Sequence, residues 1–254
     1  MIKKLLSSLY IAPKQSHKGQ NGMLMVIGGS TQYHGAPIFA LLAARRFVDM
    51  LYFYPAEKDP YLIHAAKQIP EVIVDYNLVH MPDADAVLFG NGLGDASAPL
   101  DDLIIKSKKL IIDGDGLKLI TNFIPPDSLL TPHEHEFNLL FDCEGTANNV
   151  KNMAKKHKCV ILKKDPNGDI ITDGTRIATN NMHNQGMTKG GTGDVLAGLA
   201  AALACKNDLF TSAACAAYIN GYAGELLRKK LGYNFSASDL ASHLAEAYFK
   251  LKKT

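Results

Sequence analysis

MLMVIGGSTQYHGAPIFALLAARRFVDMLYFY, running from Met23 to Tyr54, is the stretch that decides the fold class. Its ends, MLMVIGG (Met23 to Gly29) and MLYFY (Met50 to Tyr54), are apolar runs without polar alternation, as expected of strands covered on both faces. Between them, APIFALLAARRFVD (Ala36 to Asp49) reads as a helix. Strand, helix, strand is the unit that joins neighbouring parallel strands through a crossover.

Working outward, the same alternation recurs. Further apolar runs are EVIVDY (Glu71 to Tyr76), DAVLFG (Asp85 to Gly90), KLIID (Lys109 to Asp113), SLLTP (Ser128 to Pro132) and CVILK (Cys159 to Lys163). Helix-like pieces are TANNVKNMAKKHK (Thr146 to Lys158) and three that start near Asp194, Thr211 and Ala237. The pattern predicts an α/β fold with a doubly wound, mostly parallel central sheet and helices on both faces. DIITDGTRIATN (Asp169 to Asn180) alternates more and carries a DG turn, so it is expected as an antiparallel hairpin on that sheet. MIKKLLSSLYIAPK at the N-terminus reads as an amphipathic first helix. No linker or shift in composition divides the chain, which is expected to form one domain over residues 1–254.

Composition narrows the function classes. Hydrophobic residues make up 47% and charged residues 20%, and the net charge of +2 comes from scattered basic residues, so no nucleic-acid footprint is indicated. Four cysteines far apart, with no CxxC pair, give neither a zinc site nor a disulfide framework, and they suit a reducing compartment. No secretion signal is read at the N-terminus, and no run approaches the roughly 18 apolar residues of a membrane span. A soluble, cytoplasmic protein without a membrane partner is expected.

In open α/β sheets ligands gather at the carboxyl ends of the strands. Four loops there are unusual. GGSTQYHGAP (Gly28 to Pro37) follows a strand with two glycines and opens a helix with the small Gly35-Ala36 pair, which also suits a plain strand-to-helix turn. GNGLGD (Gly90 to Asp95) has GxGxG spacing instead of the dinucleotide GxGxxG, yet it lets a planar or phosphate-bearing ligand approach the backbone. In TPHEHEF (Thr131 to Phe137), Glu134 and Glu136 fit the first turn of a helix, which leaves His133 at the cleft mouth unaccounted for.

The fourth loop, within NQGMTKGGTGDVLAGLAAALA (Asn184 to Ala204), is the most specific. Backbone N–H groups of Gly191, Thr192 and Gly193 are expected to converge at a helix N-terminus, where unpaired donors and the helix dipole favour an anion. Asp194 then stands beside any bound phosphate. Aspartate also caps helices, but capping does not call for GGTG before it. The lysine and Ser/Thr of a P-loop are missing.

These segments, together with VLFGNGLG and IIDGDGLKLI, resemble in order and spacing the ADP/ATP-dependent NAD(P)H-hydrate dehydratases of the ribokinase-like superfamily, from about Gly22 to the last helix. The resemblance implies a repair enzyme that uses ADP or ATP, with Mg²⁺, to dehydrate the 6S hydrate of NADH or NADPH, releasing AMP and phosphate. It implies that Asp194 is the catalytic base and that Ala36, Gly94, His133 and Asp194 contact the hydrate. Lys163, Gly191, Thr192 and Gly193 are implied to contact the adenine nucleotide, and Asn184 and Met187 to line the approach. No protein-held metal site is expected. A homotetramer is implied, with any epimerase activity on a separate protein, since many relatives carry that domain N-terminally.

Three departures from the family pattern stand out. Asn91 takes the place of the proline in GPGLG, TPHPGE has become Thr131-Pro132-His133-Glu134-His135-Glu136, with Glu134 and His135 for the usual proline and glycine, and the glycine of KG after the strand is Lys164. The last puts a side chain where backbone meets ligand. The competing reading is a small-molecule kinase of the same superfamily acting on a vitamin precursor or sugar alcohol; the TPH and HGAP motifs favour the dehydratase.

Overall fold

The computed structural model describes residues 1–96 and 100–253. In chain order its first half contains α1 (Ile2–Ser8), β1 (Met23–Gly28), α2 (Gly35–Ala44), β2 (Met50–Pro55), α3 (Pro60–Lys67), β3 (Val72–Val74), β4 (Ala86–Phe89), α4 (Leu100–Lys106), β5 (Leu110–Ile112) and α5 (Asp115–Leu119). There follow β6 (Ser128–Leu130), α6 (Glu134–Phe141), α7 (Ala147–His157), β7 (Val160–Lys163), β8 (Asp169–Thr172), β9 (Ile177–Asn180), α8 (Thr192–Ala204), α9 (Leu209–Leu231) and α10 (Ala237–Lys252).

The strands form one sheet in the order β3-β2-β1-β4-β5-β6-β7-β8-β9. β1 to β7 are parallel, and β8 and β9 add the expected antiparallel hairpin at one edge. The chain runs outward from β1 to β3 and then returns to place β4 on the other side of β1. The crevice between the loops after β1 and β4 is therefore the topological switch point, where open sheets of this kind bind ligands.

The unbroken apolar runs have a simple cause. Along β1, Leu24 and Val26 enter the core on one face, whereas Met25 and Ile27 enter the core on the other. In β4 the pairs are Ala86 with Leu88 and Val87 with Phe89. Both faces are covered by helices, so neither set of alternating positions can be polar.

The face that carries α1, α2, α8, α9 and α10 holds the larger core. At its centre lies α8, with eleven of its thirteen residues buried. A helix buried all round must be apolar all round, and its small residues let neighbours come close. At Gly198 a side chain would collide with the backbone of Ala40 in α2. α1 packs through Ile2 and Leu6, and the Lys252 ammonium ties it to α10 through the Leu6 carbonyl at 2.6 Å. Among the described residues, no helix is long and apolar enough to cross a membrane.

Candidate functional site

Four loops after parallel strands supply the polar centre of the cleft. β5 delivers Asp113, which is 3% exposed. Its Oδ1 accepts from the Thr131 hydroxyl at 2.6 Å and from the Lys164 ammonium at 2.9 Å. Its Oδ2 accepts from Asn91 Nδ2 at 2.9 Å. The loop after β4 crosses the loop after β5 so closely that a side chain at Gly90, where φ is 118°, would overlap the Asp113 carbonyl. Only glycine serves there.

Asn91 is fully buried, and its amide group spans two carboxylates, with Nδ2 also donating to Asp194 Oδ1 at 2.7 Å. The carboxylates fix the amide's orientation, because the flipped form would set oxygen against oxygen. Burial pushes the Asp194 carboxyl up, and the nearby Asp113 charge adds to that. Asn91 and Lys164 pull the other way without cancelling it, and the pKa is raised to about 7. A carboxyl poised there exchanges a proton readily near neutrality, as a general base must.

Asp194 sits in the first turn of α8. The N-cap is Gly191 with φ of 91°, and no side chain caps the helix. A side chain at Gly191 would run into the Phe39 ring. The amides of Gly191 and Gly193 have no hydrogen-bond partner among the described residues. Thr192 departs from the expected convergence: its amide donates to the Lys189 carbonyl at 3.3 Å, and its hydroxyl reaches the Met187 and Lys189 carbonyls at 2.6 and 2.8 Å. Thr192 thus locks the turn from inside. Lys189 is also engaged, donating to the Tyr233 and Phe235 carbonyls at 2.5 and 2.6 Å.

A cavity of about 540 Å³ opens beside this turn, lined among others by His133, Lys164, Thr192, Gly193, Met187 and Asn220. Asn220 is 4% exposed and its Oδ1 has no partner among the described residues. A buried acceptor left unpaired at a cavity wall is costly unless a ligand or water meets it. Asn184 also lines the cavity, with its side chain donating to Glu225 and accepting from the Gly186 amide, each at 3.0 Å.

His133 has a structural task that the sequence did not reveal. It is the N-cap of α6: Nδ1 accepts from the Glu136 amide at 3.2 Å, and the Glu136 carboxylate accepts from the His133 amide at 2.8 Å. With Nδ1 as acceptor, the neutral ring carries its proton on Nε2. The ring is otherwise half exposed in the cavity lining.

Ala36 and Gly94 belong to the switch-point crevice. Ala36 lies against Gly92, Ser30 Oγ donates to the Gly92 carbonyl at 3.0 Å, and a side chain at Gly94 would meet that same Ser30 hydroxyl. The loops after β1 and β4 are therefore fastened together. The Gly94 amide donates to Asp115 at 2.9 Å, so Gly94 can meet a ligand only through its Cα and carbonyl.

Lys163 is placed differently from the expectation. It is 2% exposed, its ammonium is paired with Glu134 and Asp165, and it is absent from the cavity lining. Burial depresses the ammonium, but the two carboxylates outweigh it and keep it charged. Successive residues of a strand point to opposite faces, so Lys164 takes the cleft. Asp113 and Asn220 were not singled out from the sequence. Asp113 at least carried a signal, an acidic residue closing a buried apolar run at the carboxyl edge.

The family profile described as NAD(P)H-hydrate dehydratase matches residues 24–246. The bifunctional NAD(P)H-hydrate repair enzyme of Methanocaldococcus jannaschii is 38% identical over 92% of this chain and 50% of its own length. The chain spans about half the length of the first curated relatives it matches. The ADP-dependent (S)-NAD(P)H-hydrate dehydratase of Cenarchaeum symbiosum is 36% identical, covering 91% of this chain and 90% of that protein. Among solved structures, the ADP/ATP-dependent NAD(P)H-hydrate dehydratase of Bacillus subtilis, co-crystallised with ATP and Mg²⁺, superposes with a TM-score of 0.86 at 23% identity, covering 99% of this chain and 97% of that one. That likeness carries the fold, and a ribokinase-like superfamily protein of Enterococcus faecalis, 26% identical, superposes with a TM-score of 0.86 over 99% of this chain and 95% of that one.

Proposed function

Since this chain belongs to the NAD(P)H-hydrate dehydratase family, we propose that it dehydrates the 6S hydrate of NADH or NADPH using ADP or ATP. The observation that carries the reading is Asp194, a carboxyl raised to about 7, standing beside open amides at the N-terminus of α8. With ADP, Asp194 takes the proton of the hydrate hydroxyl, the freed oxygen bonds to the terminal phosphorus, and the bond from that phosphorus to AMP breaks. The Gly191 and Gly193 amides hold the moving group at the position where charge develops. The phosphate ester then leaves as phosphate, with loss of a proton from the adjacent ring carbon, which restores the reduced nicotinamide.

Ala36, Gly94 and His133 are the proposed contacts to the hydrate, and the cavity beside α8 is the proposed nucleotide site. Lys163 contributes indirectly by holding Glu134 and Asp165. Among the described residues, no group of three or more His, Cys, Asp or Glu side chains is placed to hold a metal. Mg²⁺ is proposed to enter with the nucleotide as the counter-ion of its phosphates. The proposed working unit is one domain over residues 1–254, assembled as a cytoplasmic homotetramer, which light scattering on the purified protein tests. The activity itself is tested by incubating the protein with the NADH hydrate and following reduced-nicotinamide absorbance. Recovery that requires ADP or ATP supports the reading, and none with either nucleotide overturns it.

A further inference from the structure

We propose that Lys164 is a catalytic residue of this chain, its ammonium anchored on Asp113 and hydrogen-bonded to oxygens of the phosphoryl group as that group passes from nucleotide to hydrate at the α8 turn. This rests on the phosphoryl transfer proposed above.

The backbone at Lys164 is fixed. Its amide donates to the Pro132 carbonyl at 2.8 Å, and a parallel bridge to His133 continues the β6–β7 pairing past the strand ends. From there the side chain reaches into the cleft until Nζ lies 3.6 Å from where a Cβ on Gly193 would stand. The ammonium is thus against the helix turn whose amides are open. It has three N–H donors. Asp113 takes one, and no other acceptor among the described residues takes the remaining two.

Neighbouring lysines cannot do this work. Lys163 is neutralised by Glu134 and Asp165 and stays out of the cavity lining, and Lys189 is committed to two carbonyls. Meanwhile Asp165 and Asp169 line the cavity, and Asp113 and Asp194 share the Asn91 amide beside the α8 turn. Without a cation the α8 amides would have to hold an anion against those carboxylates. Burial pulls the Lys164 ammonium down, but Asp113, Glu136 and Asp194 outweigh it, so it stays charged. Asn91 joins the same two carboxylates, Asp113 and Asp194, that hold the Lys164 ammonium charged.

During transfer Lys164 keeps its proton. The hydroxyl proton goes to Asp194, the bond from phosphorus to AMP breaks as the bond to the hydrate oxygen forms, and the ammonium meets the charge on the equatorial oxygens.

The test is calorimetric titration of ADP and of AMP, in EDTA, into the wild type, Lys164→Met and Lys164→Arg, with hydrate turnover measured in parallel. AMP lacks the group that Lys164 contacts. The wild type is expected to prefer ADP over AMP about tenfold, Lys164→Met to lose that preference with AMP affinity within about twofold, and Lys164→Arg to keep most of it. Turnover of Lys164→Met is expected to fall about a hundredfold. An unchanged ADP preference in Lys164→Met, beside an active wild type, overturns the role of Lys164 alone. A wild type that turns over no hydrate with either nucleotide sinks the functional reading and this inference with it. Should Lys164→Met not fold because Asp113 is left buried and unpaired, the double variant Asp113→Asn/Lys164→Met removes the pair together, and its ADP-to-AMP ratio decides in the same way.

Discussion

Asp194→Asn separates catalysis from stability in one variant. In the folded protein the Asp194 carboxyl is raised from 3.8 to about 7. The folded state therefore holds a proton that the unfolded state has lost across this window, and stability falls as pH rises from about 4 to about 7. A shift of about 3 units corresponds to about 4 kcal/mol at 1.36 kcal/mol per unit. Asparagine removes that penalty but brings an amide whose N–H donors need partners in a buried site, at a cost of about 2 kcal/mol. The net expectation is a gain of about 2 kcal/mol at pH 8, or about 4–8 °C in Tm for a chain of this size, turning into a loss of about 2 kcal/mol near pH 4 where the penalty is absent and the amide cost remains. Turnover of the hydrate is expected to fall about a thousandfold while ADP still binds. Thermal unfolding at pH 4, 6 and 8, together with the absorbance assay, reads both. Equal Tm differences at pH 4 and pH 8 would refute the electrostatic argument, and retained turnover would remove Asp194 from its role.

Further outcomes follow from the same geometry. Because Asp194 must be ionised to accept a proton, kcat/KM is expected to fall about tenfold per pH unit below about 7 and to level off above it. Asn91→Leu keeps the volume but loses the N–H bonds to both carboxylates; the acid limb of that profile should move up by about one unit, and an unmoved limb would contradict the bridging role. Gly191→Ala forces a side chain against Phe39 at positive φ, with an expected loss of about 2 kcal/mol in denaturant unfolding. His133→Asn keeps an N-cap while removing the ring, so stability should hold within about 0.5 kcal/mol while KM for the hydrate rises about tenfold; an unchanged KM means His133 is a cap and nothing more.

The sheet was legible because burial on both faces leaves a plain mark: MLMVIGG and DAVLFG lack alternation, and the DG turn marks the hairpin at Gly174, where φ is 84°. α3, α4 and α5 were not foreseen. They have eight, seven and five residues, too few for a helical period to declare itself. At the site, the glycine turn and Asp194 could be read because GGTGD exceeds what capping needs. The choice between Lys163 and Lys164 could not, because it depends on which face of β7 looks into the cleft, and neighbouring residues differ by that face alone. Thr192 misled for a related reason: its sequence position gives it an N–H at the turn, but the bond to Lys189 exists only in three dimensions. Asp113 becomes a partner of Asp194 only when β5 and α8 are brought together by the fold.

The central claim is that the hydrate oxygen becomes a phosphate ester before it leaves, and the label in that oxygen follows it directly. With NADH hydrate carrying oxygen-18 in its hydroxyl, unlabelled ADP and unlabelled water, mass spectrometry of the released phosphate should find one labelled oxygen per phosphate, with the AMP unlabelled. Label appearing in water instead, with unlabelled phosphate, would mean that dehydration proceeds without phosphoryl transfer to the hydrate and would contradict the account.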